Sequence, residues 1–176
     1  DLEKIINTVK NGFSATNKFN EIANIDVILI CVPTPLGPHN EPDLSFIHDT
    51  LDTIRPYLRE NQLLILESTT YPGTTAEEIV PFVESITTKS QVPNSNSRFI
   101  IGENFFIGYS PEREDPGNKN FSVQSIPKVV SGHTKNCLEV TTVLYDQIVD
   151  TTVPVSSTQV AEMTKILENI HRSVNI

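Results

Sequence analysis

Lysine and arginine never cluster in this chain. Its 13 basic residues are outnumbered by 22 acids, for a formal net charge of −9. That leaves no electrostatic footprint for nucleic acid or an anionic membrane surface. Both are excluded as partners of the chain as a whole, whereas a small anion, which needs only two or three well-placed bases, is not. Long apolar runs are also missing. The longest, Val27–Val32, has six residues, far short of the roughly 20 that a membrane helix needs. Cysteine is scarce. Cys31, in an apolar strand, and Cys137, in a helix, share no metal or redox spacing, so both read as reduced structural thiols of a cytoplasmic protein rather than as nucleophiles. The opening DLEKIINTVKNG has no signal-peptide pattern and no initiator Met, and it reads as the second half of a helix that begins before Asp1.

What is present is a globular composition, with 38% hydrophobic and 20% charged residues. At 176 residues the chain is long enough for one sizeable core, or for one domain and part of another. DVILICV (26–32) and NQLLILES (61–68) are short, almost wholly apolar runs, as strands covered on both faces require. FFIGYS (105–110), KVVSG (128–132) and TTVPVSS (151–157) read as further strands, the last an edge because of Pro154. Helical spacing marks 43–58, with Asp43 as a cap, 74–86, opened by a capping Thr, and 134–149. A short strand at 13–16, a short helix at 18–24 and a surface loop at 87–98 complete the expectation. Strands alternating with helices predict an α/β fold, a mostly parallel sheet wound on both faces, with ligands beyond the carboxyl ends of its strands.

Those strand ends carry the unusual residues. After the first strand comes VPTPLGPHNEP, where prolines on either side stiffen the loop holding Thr34. After the second, ESTTYPGTT places Glu67, two hydroxyls and a Pro-Gly turn before a helix, a setting that suits a phosphate, a ribose or a polarised water, but also plain capping. After the third, SPEREDPG confines Glu112, Arg113, Glu114 and Asp115 between Pro111 and Pro116. A carboxylate there can order a water, and Arg113 can meet an anion. A solvated loop is the plainer reading of the same residues.

The tail AEMTKILENIHRSVNI reads as an amphipathic helix. Met163, Ile166, Leu167, Ile170 and Val174 gather on one side, and Lys165, Asn169 and Arg172 line the other. Taken alone, such a stripe is a solvated face.

Together, VPTP, ESTTYPGTT, SPEREDPGN and the tail closely resemble the UDP-glucose/GDP-mannose dehydrogenase family, and most of all its branch acting on UDP-N-acetylhexosamines. The resemblance implies a Rossmann-like, doubly wound sheet over residues 1–156, the NAD-binding domain, with 157–176 as the first helix of an all-helical central domain. It implies NAD as cofactor, a UDP-sugar as substrate, and oxidation of the sugar's C6 alcohol to a carboxylate with two NAD per turnover. A homodimer follows from the same likeness. Thr34, Pro35 and Thr69 would then face the cofactor, with Thr69 also positioning a catalytic water. Glu112 would assist proton traffic, Arg113 and Glu114 would contact the sugar nucleotide, Lys165 and Asn169 would hold the reacting oxygen, and Arg172 would reach further along the substrate.

Two family features are missing from these residues. No two of the seven glycines are spaced as G-x-G, so the phosphate turn is expected to precede Asp1. The family's thioester-forming cysteine is expected downstream, and Cys137 stands in the wrong motif to replace it. The chain alone is therefore expected to be inactive. A related dehydrogenase of the 3-hydroxyacid type, or a non-catalytic truncated paralogue, remains as an alternative.

Overall fold

The computed structural model describes residues 2–39, 41–89, 96–112 and 124–175. Helix α1 (Leu2–Lys10) leads through a 3-10 turn (Phe19–Asn24) to strand β1 (Val27–Ile30). Helix α2 (Ser45–Ile54), a 3-10 turn (Arg55–Tyr57) and strand β2 (Gln62–Leu66) follow. A π-helical turn (Thr75–Ile79) then runs into helix α3 (Val80–Glu84) and a hairpin of β3 (Thr87–Lys89) and β4 (Asn96–Arg98). Strands β5 (Phe105–Tyr109) and β6 (Lys128–Gly132), helix α4 (Lys135–Tyr145), strand β7 (Thr152–Pro154) and helix α5 (Thr158–Asn175) complete the chain.

The main sheet has the order β1-β2-β5-β6-β7. Three of its pairings are parallel, and β5 with β6 is antiparallel. Alternation along the buried strands sends successive side chains to opposite faces. Ile28, Ile30, Leu64 and Leu66 meet Ile47, Leu51 and Ile54 of α2 and Val80 and Val83 of α3 in one core. Leu63, Ile65 and Val130 meet Tyr145 and Val149 in the other. Both faces are thus covered, which is why β2 is wholly buried and, after Gln62, apolar without a break.

Several local expectations are corrected. FSAT (13–16) is irregular, and Thr16 bonds locally, to the Lys18 amide and the Glu21 carboxylate. The 18–24 helix is a 3-10 turn. The polar segment 87–98 holds the β3–β4 hairpin, paired antiparallel from Thr87 opposite Arg98, and its strands lack the apolar alternation that marks one in a sequence. The first strand stops at Ile30, so Cys31 lies just past it and is exposed. Thr74 does not cap its helix; its hydroxyl donates to the Tyr71 carbonyl. That helix opens with a wide turn in which the Val80 amide bonds the Thr75 carbonyl. The widening makes room for Pro81, whose ring would clash with a carbonyl four residues back in a regular helix. Asp43 does serve the start of α2, accepting from the Ser45 amide at 2.9 Å.

Helix α5 is turned the other way from its simple amphipathic reading. Thr158, Ala161 and Glu162 are buried against the sheet, while Met163, Leu167, Ile170 and Val174 are exposed. The cause is Glu162. Its fully buried carboxylate accepts from the Gly73 amide (2.6 Å), the Thr75 amide (2.9 Å) and the Thr75 hydroxyl (2.6 Å). An acid at the start of a helix satisfies donors that have no partner inside it and meets the favourable end of its dipole. Among the described residues no helix is long and apolar enough to cross a membrane.

Candidate functional site

The carboxyl ends of β1, β2 and β5 open on the same side of the sheet, and their loops are stitched together. The Ser68 hydroxyl donates to the Val32 carbonyl (2.7 Å) and accepts from the Val32 amide (2.9 Å). The Thr34 hydroxyl donates to the Thr69 carbonyl at 2.6 Å. Beyond it the proline loop folds back on itself, with Gly37 and Asp43 amides bonded to the carbonyls of Glu41 and Pro35. Gly73, at φ +118°, makes the turn into the next helix, a conformation that L side chains resist. Thr69 and Pro35 lie exposed at the rim, and Thr34 is half-buried.

The polar line of α5 meets this rim. The Lys165 ammonium donates to the backbone carbonyl of Glu112 in the loop after β5, 53 residues away in sequence. Glu162 and Lys165 are three apart and share one helix face, so the contact that fixes the helix also aims the amine. Asn169 and Arg172 continue that face one and two turns further and are exposed. Thr34, Thr69, Glu112 and Lys165 are therefore gathered at one opening, with Asn169 and Arg172 beyond it. Arg113 and Glu114 lie outside the described residues.

Beneath the rim is a charged cluster. Glu67 Oε1 accepts from Lys128 Nζ at 2.9 Å and from the Tyr145 hydroxyl, and Glu67 Oε2 accepts from the Cys31 thiol at 3.4 Å. Lys128 Nζ also reaches Glu112 Oε2 at 3.3 Å and lies over the Tyr145 ring. Burial, and then the Glu67 carboxylate, pushes the Tyr145 hydroxyl well above its usual range. Partial burial of the thiol, on a residue otherwise exposed, and then the Glu67 carboxylate push Cys31 up to about 11. Both groups stay protonated donors near neutral pH, and such a thiol is a poor nucleophile. Glu67, Lys128, Glu112 and Tyr145 line a cleft of about 200 Å³ together with apolar residues that include Leu29 and Ile148.

The sequence marks Glu67 at a strand end, whereas no local motif points to Lys128, Tyr145 or Glu162. Lys128 reaches the mouth because β6 runs against β5. The observed register, Tyr109 opposite Ser131, continued past the end of β5 sets Lys128 opposite Glu112. An apolar run such as KVVSG carries no sign of its direction. The lone acid at the start of the tail helix was the one available hint for Glu162.

The residues present suit one end of a nicotinamide dinucleotide. The Thr34 hydroxyl spends its hydrogen on the Thr69 carbonyl, which leaves its oxygen as an acceptor for amide donors, and the Thr69 hydroxyl is exposed beside it. Nothing in these residues supplies a G-x-G phosphate turn.

Residues 1–149 match the UDP-glucose/GDP-mannose dehydrogenase family, NAD binding domain. Protein CapL of Staphylococcus aureus is 38% identical over 172 residues, 97% of this chain and 38% of its own length. The UDP-N-acetyl-D-glucosamine 6-dehydrogenase of Pseudomonas aeruginosa is 39% identical over 164 residues, 93% of this chain and 36% of its own. Among solved structures, the UDP-N-acetyl-mannosamine dehydrogenase Cap5O from S. aureus superposes with a TM-score of 0.72 at 31% identity, covering 86% of this chain and 34% of that one. The chain thus spans little more than a third of the length of the relatives it matches.

Proposed function

Because the chain belongs to the UDP-glucose/GDP-mannose dehydrogenase family, we propose that it forms the cofactor-binding part of an enzyme oxidising the C6 alcohol of a UDP-sugar, a UDP-N-acetylhexosamine, to the uronic acid. Residues 1–156 serve as the NAD-binding domain, and 157–176 begin a central helical domain. The observation that carries the reading is the contact from Lys165 to the Glu112 carbonyl. It supports a role for the Lys165 ammonium at the strand-end loops, next to the residue whose carboxylate the proposed oxidation uses.

NAD, when bound, would supply the hydride acceptor, with two NAD used in succession for the two oxidations of each turnover. Thr34, Pro35 and Thr69 face it from the stiffened loops, and Thr69 orients a water. Glu112 moves the proton of that water. Lys165 and Asn169, one helical turn apart, stabilise negative charge as it develops on the reacting oxygen, a role in which one donor is worth about 3–4 kcal/mol. Arg113 and Glu114 contact the sugar nucleotide, and Arg172 reaches further along it. The exposed apolar side of α5 supports burial within the helical domain of a homodimer, since contiguous apolar surface of this kind marks an interface. The setting is the cytoplasm, where nucleotide sugars and reduced thiols are both at hand.

The test is an assay of the complete protein against a panel of nucleotide sugars, following NADH absorbance. NADH formation with a UDP-N-acetylhexosamine is the expected result. No NADH with any nucleotide sugar would overturn the proposal.

A further inference from the structure

The antiparallel strand brings a charged side chain to the opening that the proposed chemistry does not use. We infer that Lys128 is a positioning residue for the oxidation: anchored by Glu67 and Tyr145, it holds the carboxylate of Glu112 at the reacting centre. This rests on the dehydrogenase reading and deepens it.

A surface lysine is a floppy partner that holds little in place. Lys128 is different. Its side chain is 11% exposed and that of Glu67 is 12% exposed, with the two charges 2.9 Å apart. Glu67 has its other acceptor positions filled by the Tyr145 hydroxyl and the Cys31 thiol, both of them neutral donors. Among the described residues Lys128 is the cation that balances its charge, and a buried carboxylate does not release such a partner cheaply. The Tyr145 ring, 5.1 Å from the ammonium, closes another side. The remaining direction points to Glu112 Oε2, at 3.3 Å, on a side chain that is half exposed. The result is a fixed cation at the back and a carboxylate with one oxygen tethered in front. A side chain held this way approaches its substrate already oriented, which lowers the entropic part of the barrier. Lys128 also lines the cleft with Leu29 and Tyr145, and it meets the Glu112 carboxylate, whereas Lys165 meets the Glu112 backbone carbonyl.

The test is a double-mutant cycle in the complete enzyme. Lys128→Met should lower kcat about tenfold to a hundredfold while the KM values for NAD and nucleotide sugar move by less than about threefold. Lys128→Arg should restore most of the turnover. In a Glu112→Gln background, Lys128→Met should cost nothing further, because it acts through the group already removed. Lys128→Met leaves Glu67 unpaired and threatens the fold, so Glu67→Gln/Lys128→Met, which removes both charges, serves as companion and should show the same loss of kcat. An unchanged kcat, a loss that multiplies with that of Glu112→Gln, or an effect confined to KM would overturn the inference. If the unsubstituted enzyme oxidises no nucleotide sugar, the dehydrogenase reading fails first and the inference falls with it, which tells the two failures apart.

Discussion

The thiol of Cys31 donates to Glu67 and is pushed up to about 11, first by burial and then by the Glu67 charge. The folded state keeps this proton where the unfolded chain, near its ordinary value of 9.0, releases it. The contribution to stability is therefore complete below about pH 9 and is lost as pH rises from 9 through 11. Alkylation of Cys31 by iodoacetamide should be slow at neutral pH and should accelerate up to about pH 11. A rate already at its plateau near pH 8 would contradict the described environment. Tyr145 shifts in the same direction, by burial first and then against the same carboxylate, so both neutral donors to Glu67 hold their protons.

At the scale of elements, one side chain docks α5. Replacing Glu162 with Ala strands the Gly73 and Thr75 amides and the Thr75 hydroxyl in a buried place. We expect a loss of about 2–4 kcal/mol in urea unfolding, with Glu162→Gln costing about half as much because it keeps an acceptor. Amide exchange at Thr75 should rise in the same variant, and equal protection in both proteins would argue that the helix is held elsewhere. The same element shows what the sequence could reveal. β1, β2, β5 and β6, along with α2 and α4, were legible because burial on a covered sheet leaves apolar periodicity in the residues. The β3–β4 hairpin was not, since its strands are polar. The wide turn at Thr75–Ile79 was not either, since it answers to how Pro81 fits a particular helix. The side of α5 that faces inward is chosen by a single buried acid, and counting apolar residues selected the opposite side.

Across the whole molecule, the candidate site is an assembly of ends: loops after three strands and one face of the last helix. Thr34, Thr69, Glu112 and Lys165 could be nominated from motifs, because each motif is a local run. The pairing of Lys128 with Glu112 could not, because it depends on the direction of β6, which only the fold decides. The same separation bears on cofactor affinity. In the proposed reading these residues supply hydroxyls at the nicotinamide end, and they hold no G-x-G turn for the pyrophosphate. A calorimetric titration of the isolated chain should therefore find NAD binding no tighter than about millimolar, and micromolar binding would contradict this division of labour.

The account depends on the amine of α5 acting at the opening formed by the strand-end loops, and the most direct measurement is turnover by Lys165→Ala in the complete enzyme, with NAD affinity measured on the same protein. The account predicts that kcat falls about a hundredfold to a thousandfold while the Kd for NAD stays within about twofold. Undiminished turnover with NAD still bound would contradict it.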